Sequence, residues 1–238
     1  MNFLLDGLGQ AWNLLISGDP ELMHLLWVTL QVAGVATAAA LLIGLPIGLC
    51  LGLGRFRGRG ALIALANAGM GLPPVFIGLV LALLMFPASV LGRFHLIFTL
   101  EAIFIAQSIL ALPLMIALTC AAVQSLPPGL MDQSRAFRAG RWQQAALATR
   151  EAWTGIAAAL IASAGTALSE VGAIVLVGGN IQGYNQTLAS AALFEINAGH
   201  WTQGAAIGIL LFGLILVVGA LMTLLQHGPG WVRRRRSC

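Results

Sequence analysis

This sequence predicts an all-α membrane protein of five spans, on three observations: its hydrophobic content, the lengths of its uncharged runs and the one-sided placement of its arginines. Hydrophobic residues make up 59% of the 238 and charged residues only 8%, against roughly a quarter charged in an ordinary soluble domain. Four runs carry no charged side chain: Leu22 to Gly54 apart from His24, Gly60 to Gly92, Ala102 to Met131 and His200 to Pro229. A fifth, Ala152 to Glu195, is interrupted only by Glu170. A crossing helix needs about 20 apolar residues, so each run suffices with length left for tilt. All twelve basic residues are Arg, and eleven follow the first, third or fifth run; only Arg93 falls on the other side. Positive charge stays with the cytoplasm, which puts the N-terminus outside and the C-terminus inside. The net charge of +4 then reflects topology and contact with anionic lipid, not nucleic-acid binding, and the "RRRR" run abuts a span.

Residues 1–19 lack the basic start of a signal peptide and carry Asp6 among apolar residues, so they are expected to form an interfacial helix on the outer face, with Trp12 at headgroup depth. Asp19 followed by Pro20 reads as a helix cap and first helical position, starting span one. Spans one and two are joined by the short "GRFRGRG" turn. Pro46, the pair Pro73–Pro74 and Pro113 fall inside spans, where lipid cannot satisfy a freed backbone group. Two adjacent prolines in "GMGLPPVFIGL" predict a discontinuous second span whose broken backbone lines a translocation path. Cys50, Cys120 and Cys238 show no metal-ligand spacing and no disulfide framework, and no cofactor or metal is expected.

Pro127 to Glu151 is too long for a turn and too short for a domain. A Pro-Pro break starts it, and it then predicts two short helices around Gly140. Met131, Phe137 and Trp142 offer an apolar strip, with Arg135, Arg138 and Arg141 every third residue on the other side. A basic, partly apolar hairpin facing the cytoplasm has the shape of a docking element; a solvated loop is the alternative.

Glu170, in "SEVGAIVLVGGNI", follows Trp153 by 17 residues, roughly 25 Å of helix, which places it in the outer half of the bilayer. An acid at that depth is costly and marks a bundle interior or cavity. No spanning Arg or Lys is available to it, so its partners are backbone N–H groups, the hydroxyls of Ser169 or Thr166, water or a neighbouring subunit. Two roles remain open, pinning an unwound stretch by hydrogen bonds or handling substrate directly. Gly172, Gly178, Gly179 and Asn180 let the backbone turn there. With no intramembrane base, the chain is poorly equipped to bind a charged solute alone, which assigns selectivity and energy to other subunits. A channel or secondary transporter and a non-transporting scaffold are competing classes.

These residues together resemble the membrane-spanning permease subunit of bacterial ABC importers in the molybdate, sulfate and tungstate branch, closest to its tungstate members. The resemblance covers roughly residues 20–226 and rests on "GLPPVFIGL", the hairpin and "SEVGAIVLVGGNI", where molybdate and sulfate relatives usually carry a Gly-Glu-aromatic-Gly version of Ser169, Glu170, Val171 and Gly172. It implies a type I importer-like permease domain over 20–226, including a coupling hairpin at 127–151, and a basic cytoplasmic tail at 227–238. In the family's coupling motif, Asp132, Gln133 and Ser134 occupy the acidic and small positions. Arg138 stands at the motif's Gly, so the bend falls there or, with a two-residue shift, at Gly140; Arg135, Phe137 and Trp142 complete the expected contact. Pro73, Pro74, Ser169, Glu170, Gly172 and Asn180 are the expected path or gate. The resemblance further implies a homodimer in the inner membrane working by alternating access, two ATPase subunits, and an outer solute-binding protein delivering an oxyanion: tungstate first, molybdate or sulfate as alternatives. The chain has no G-x-x-x-x-G-K-[ST] run and no Lys, so nucleotide hydrolysis falls to a partner and no catalytic residue is expected here.

Overall fold

Asp19 and Pro20 open the first span as expected. In this computed structural model, which describes residues 3–226, the Leu22 N–H donates to the Asp19 carboxylate at 2.9 Å and Pro20 takes the first helical position. Helix α1 (Phe3–Ser17) precedes that cap. α2 (Pro20–Ala39) runs through a π-helical turn, Ala40–Gly44, into α3 (Leu45–Leu53), making one apolar rod of 34 residues. The π turn lies directly ahead of Pro46, whose missing N–H and ring disturb the regular hydrogen-bond ladder. α4 (Arg59–Met70) and α5 (Pro74–Met85) meet at 99°, so the second span is discontinuous at Pro73 and Pro74. α6 (Leu100–Gln124) leads to two short helices, α7 (Pro128–Ala136) and α8 (Arg141–Glu151), then α9 (Trp153–Ser169), α10 (Gly172–Gly178), α11 (Leu188–Asn197) and α12 (Trp201–Gln226). Of the five expected spans, three are helices long and apolar enough to cross, the second is the bent pair α4–α5, and α9, 17 residues, opens the fourth run, meeting the polar α8 at 74°. The expected tail, 227–238, lies outside the described residues.

Small residues set the packing. Ala36, Ala40, Gly44, Gly48 and Gly52 recur every fourth residue and form a stripe along the first span. A Cβ on Gly44 would lie 3.0 Å from the Met115 side chain, one on Gly48 2.7 Å from Thr119 Cβ, and one on Gly52 2.7 Å from Val123 Cβ. The constant offset between partners means that the first span and α6 run parallel and in register. Lipid tails are as apolar as the side chains, so close backbone approach, and not burial from water, drives this contact. The Pro113 ring of α6 is seated in the same way on Gly69 of α4, where a Cβ would come within 2.6 Å. Val28, Val32, Leu81, Ile103 and Ile174 fill the core toward one end of the bundle; Ala40, Ala111, Met115, Ala148 and Ile156 continue it toward the other. α1 lies against α12 with Ala11 buried and Trp12 exposed.

The arginine-bearing loops gather at one end. Arg55, Arg59 and Arg135 line one cavity, and Gln226 at the end of α12 donates to the Thr154 carbonyl at 2.8 Å, beside the start of α9.

Candidate functional site

Glu170 ends α9. Its backbone leaves the helix in extended conformation (φ −74°, ψ 134°), and α10 starts two residues later. The Ala173 N–H donates to Glu170 Oε1 at 3.2 Å. The carboxylate therefore caps α10, where unpaired N–H groups and the positive end of the helix dipole favour an acid. Within the chain the carboxylate is met by the backbone N–H and not by the neighbouring hydroxyls: those of Ser169 and Thr166 donate back to the carbonyls of Gly165 and Ala162. Glu170 forms no ion pair among the described residues.

This turn lies against the proline break. A Cβ on Gly172 would stand 2.5 Å from Val75 Cγ2, and one on Gly78 would stand 2.6 Å from the Cα of Ala173. Val75 directly follows Pro74, so Pro73, Pro74, Glu170 and Gly172, singled out separately in the sequence, meet where the starts of α5 and α10 cross. The two backbones touch too closely for a side chain between them, which couples the break to the turn sterically. Pro73 and Ser169 are exposed, and Pro74 and Glu170 are half-buried. A carboxylate here repels an anion but can hold or release a turn.

Asn180 is not part of that crossing. It follows Gly179 at the far end of α10, both in left-handed conformation (φ 53° and 74°), and its Nδ2 reaches the Ser190 carbonyl of α11 at 3.5 Å. About 10 Å of helix separates it from Glu170.

The sequence analysis missed Asn185. Fully buried, it donates from Nδ2 to the carbonyls of Gly178 (2.6 Å) and Phe98 (3.1 Å) and accepts the Ile181 N–H at 2.8 Å. One side chain thereby ties the end of α10 and its following loop to the start of α6. A signal was present: the polar run Asn185, Gln186 and Thr187 stands directly before apolar α11, which Thr187 caps by accepting the Ser190 N–H at 3.3 Å. Asn185→Leu strands one buried backbone group, the Gly178 carbonyl, at about 1–3 kcal/mol, and removes the partners of two part-buried ones, on Phe98 and Ile181. Its melting temperature in detergent is expected to fall by several degrees; an unchanged value would refute the strapping role.

At the arginine-rich end, the hairpin α7–α8 bends at Arg138, which adopts φ 56°. Gly140, at φ −67°, instead caps α8, and its N–H donates to Gln143 Oε1 at 2.8 Å. The bend therefore sits at the motif's glycine position without a shift, although an arginine occupies it. Backbone bonds close it: Arg138 N to Arg135 O at 2.8 Å and Ala139 N to Ser134 O at 3.0 Å. The expected apolar strip needs correction. Met131 packs into the core beneath the hairpin, whereas Phe137 and Trp142 are 88% and 90% exposed. The three arginines also form no single face, since Arg135 lies in α7, Arg138 in the bend and Arg141 at the start of α8. Arg135 pairs with Asp132 at 2.9 Å; Gln133 is exposed and Ser134 buried. Ala148 and Ala152 join the second helix of the hairpin to the core of α6 and α9, and Met131 packs against that core from the first.

Apolar helices of spanning length, two interrupted segments crossing toward one end and a polar helical hairpin fixed to the other together define the membrane subunit of a transporter. The chain belongs to the family described as binding-protein-dependent transport system inner membrane component, which matches residues 44–229. It is thus an ABC importer permease of the inner membrane, a transport subunit in systems whose ATPase is a separate chain. A probable anion ABC transporter permease protein of Haloferax volcanii is 40% identical over 212 residues, 86% of this chain and 91% of that one. The tungstate uptake system permease protein TupB of Peptoclostridium acidaminophilum is 28% identical over 227 residues, 95% of this chain and all of the relative. The molybdenum transport system permease protein ModB of Azotobacter vinelandii is 26% identical over 203 residues, 80% of this chain and 88% of its own. Among solved structures, the MetNI methionine ABC transporter in an inward-facing crystal form gives a TM-score of 0.65 at 20% identity, covering 84% of this chain and 90% of that one. The fold is accordingly that of a type I importer permease.

Proposed function

We propose that this chain is the permease of an importer for a tetrahedral oxyanion, tungstate, and that it works as a homodimer with two ATPase subunits and an outer solute-binding protein. The observation carrying the substrate is the end-to-end similarity to TupB of a tungstate uptake system, at 28% identity over 95% of the chain. The similarity to ModB supports molybdate as the second reading. Residues 1–19 serve as an outer interfacial helix, 20–226 as the permease domain with its coupling hairpin at 127–151, and 227–238 as a cytoplasmic tail.

In this reading the hairpin residues Asp132, Gln133, Ser134, Arg135, Phe137, Arg138, Gly140 and Trp142 form the ATPase contact. Pro73, Pro74, Ser169, Glu170 and Gly172 form the gate, and Asn180 borders its far side. α9, 17 residues without a break, connects the two. A push on the hairpin travels along that rod to the Glu170 turn and, through Gly172 and Ala173, to α5. Moving an anion through dry lipid is prohibitively costly, so the path opens as a wet channel only when this crossing yields.

Uptake by cells expressing the importer tests the substrate. Tungstate accumulation is expected to resist equimolar molybdate and excess sulfate; equal competition by molybdate would move the assignment to that anion. Orientation has its own test, motivated by the eleven-to-one arginine asymmetry. A reporter fused after Cys238 is expected to be active only in the cytoplasm, and periplasmic activity would reverse the topology.

A further inference from the structure

A cleft of about 270 Å³ lies between the α3–α4 turn and the base of the hairpin; it shares Asp132 and Arg135 with the proposed ATPase contact, but Arg55 and Arg59 belong to neither that contact nor the gate. Arg55, Arg59, Gln124, Asp132 and Arg135 contribute its polar walls. Asp132 is already matched by Arg135 at 2.9 Å. Arg59 is held in place by its own backbone, donating from Nε to the Leu51 carbonyl at 2.6 Å and from Nη2 to the Gly52 carbonyl at 3.5 Å. Arg55 forms no hydrogen bond or ion pair among the described residues. The cleft thus carries an excess of positive charge, with the Arg59 guanidinium anchored on main-chain carbonyls and the Arg55 guanidinium exposed and without a protein partner among the described residues, a lining suited to a negatively charged acceptor.

We propose that this cleft binds the phosphate of an anionic phospholipid headgroup, one per protomer. Guanidinium forks match phosphate oxygens, and basic pockets at the ends of spans are suited to such headgroups. The cleft sits where α3 ends and α4 begins, at the boundary between spanning helix and polar loop. Leu62 and Leu65 follow Arg59 on α4 and are exposed, giving acyl chains an apolar surface leading into the membrane. A free tetrahedral anion would satisfy the arginines but leave that surface unused. Simple positive-inside bias does not account for the site either: Arg55 and Arg57 are both exposed, yet only Arg55 lines the cleft. A lipid there bridges the α3–α4 turn to the base of α7 and stiffens the support from which the hairpin acts. The proposal depends on the orientation given above only for which leaflet supplies the lipid.

The test is native mass spectrometry of the importer complex, purified in detergent and exposed to phosphatidylglycerol, phosphatidylcholine or inorganic phosphate. Wild type and Arg57→Gln are expected to retain one phosphatidylglycerol per permease through washing and no phosphatidylcholine, whereas Arg55→Gln loses at least about ten-fold of that occupancy, as expected for one charge-assisted contact. Each variant removes one positive charge from the same turn, so equal loss in both would reduce the effect to bulk surface charge and overturn the site. Displacement of phosphatidylglycerol by millimolar inorganic phosphate would overturn the lipid assignment in favour of a free-anion site. Retention in Arg55→Gln equal to wild type would refute the cleft altogether. Bound lipid is detected whichever leaflet it came from, so failure of the topology leaves this result readable.

Discussion

Phe137→Ala and Trp142→Ala are each expected to weaken ATPase binding by roughly 5- to 1,000-fold, the range for truncating a buried aromatic anchor of about 1–4 kcal/mol, and to uncouple ATP hydrolysis from uptake. At 88% and 90% exposure these rings contribute almost nothing to the protomer. Their removal should leave permease stability within about 0.5 kcal/mol of wild type. A large aromatic held out in solvent on the hairpin is a cost in water that an interface removes. Met131 supplies the internal contrast: because it packs beneath the hairpin, Met131→Ala should lower the melting temperature and impair binding only indirectly. Arg141→Ala, an exposed charge, should act on association rate and its salt dependence more than on affinity. Pull-down of the ATPase by purified permease, with uptake and hydrolysis measured in vesicles, separates these outcomes. Full binding and full uptake in both aromatic variants would make the hairpin a mere connector.

Most of the bundle was legible because lipid imposes simple rules. Long uncharged runs have to be helices, and the helix cap at Asp19 and the prolines at 73 and 74 act locally, so sequence neighbours suffice to read them. The proposed gate was half legible. Glu170 and the Pro73–Pro74 pair each stand out as expensive in a membrane, but their meeting through Val75, Gly78, Gly172 and Ala173 depends on long-range contacts that no local pattern encodes. Asn180 looked like part of the same mouth because it is close in sequence; the roughly two turns of α10 carry it away toward α11. In the hairpin, helical periodicity was extended across Arg135, Arg138 and Arg141 although the bend at Arg138 resets the phase, which is why the apolar strip and the basic face were drawn wrongly. Asn185 escaped notice since a single buried amide among polar neighbours resembles any loop residue until its three main-chain partners are known.

Glu170→Leu is expected to reduce uptake at least ten-fold, while Glu170→Gln stays within about five-fold of wild type. The carboxylate accepts one backbone N–H, from Ala173, and a charge-assisted bond of this kind contributes about 1.5–3 kcal/mol against about 1 for a neutral amide. Glutamine keeps an oxygen at the same reach and so keeps the weaker bond. Leucine keeps the volume but strands the N–H at the start of α10, and the difference amounts to roughly 10- to 150-fold in the equilibrium between held and released turn. Because Gly172 and Ala173 touch Val75 and Gly78 without room for a side chain, a slack turn leaves α5 uncontrolled and the gate leaks or sticks. The affinity of the separate solute-binding protein for its anion should be the same with either permease, which places any effect at the gate. If Glu170 instead handled the anion through its charge, glutamine would abolish that role as thoroughly as leucine does. Equal uptake by the two variants would therefore reject the hydrogen-bonded turn, and a graded loss, Gln mild and Leu severe, is the signature that only the capping geometry produces.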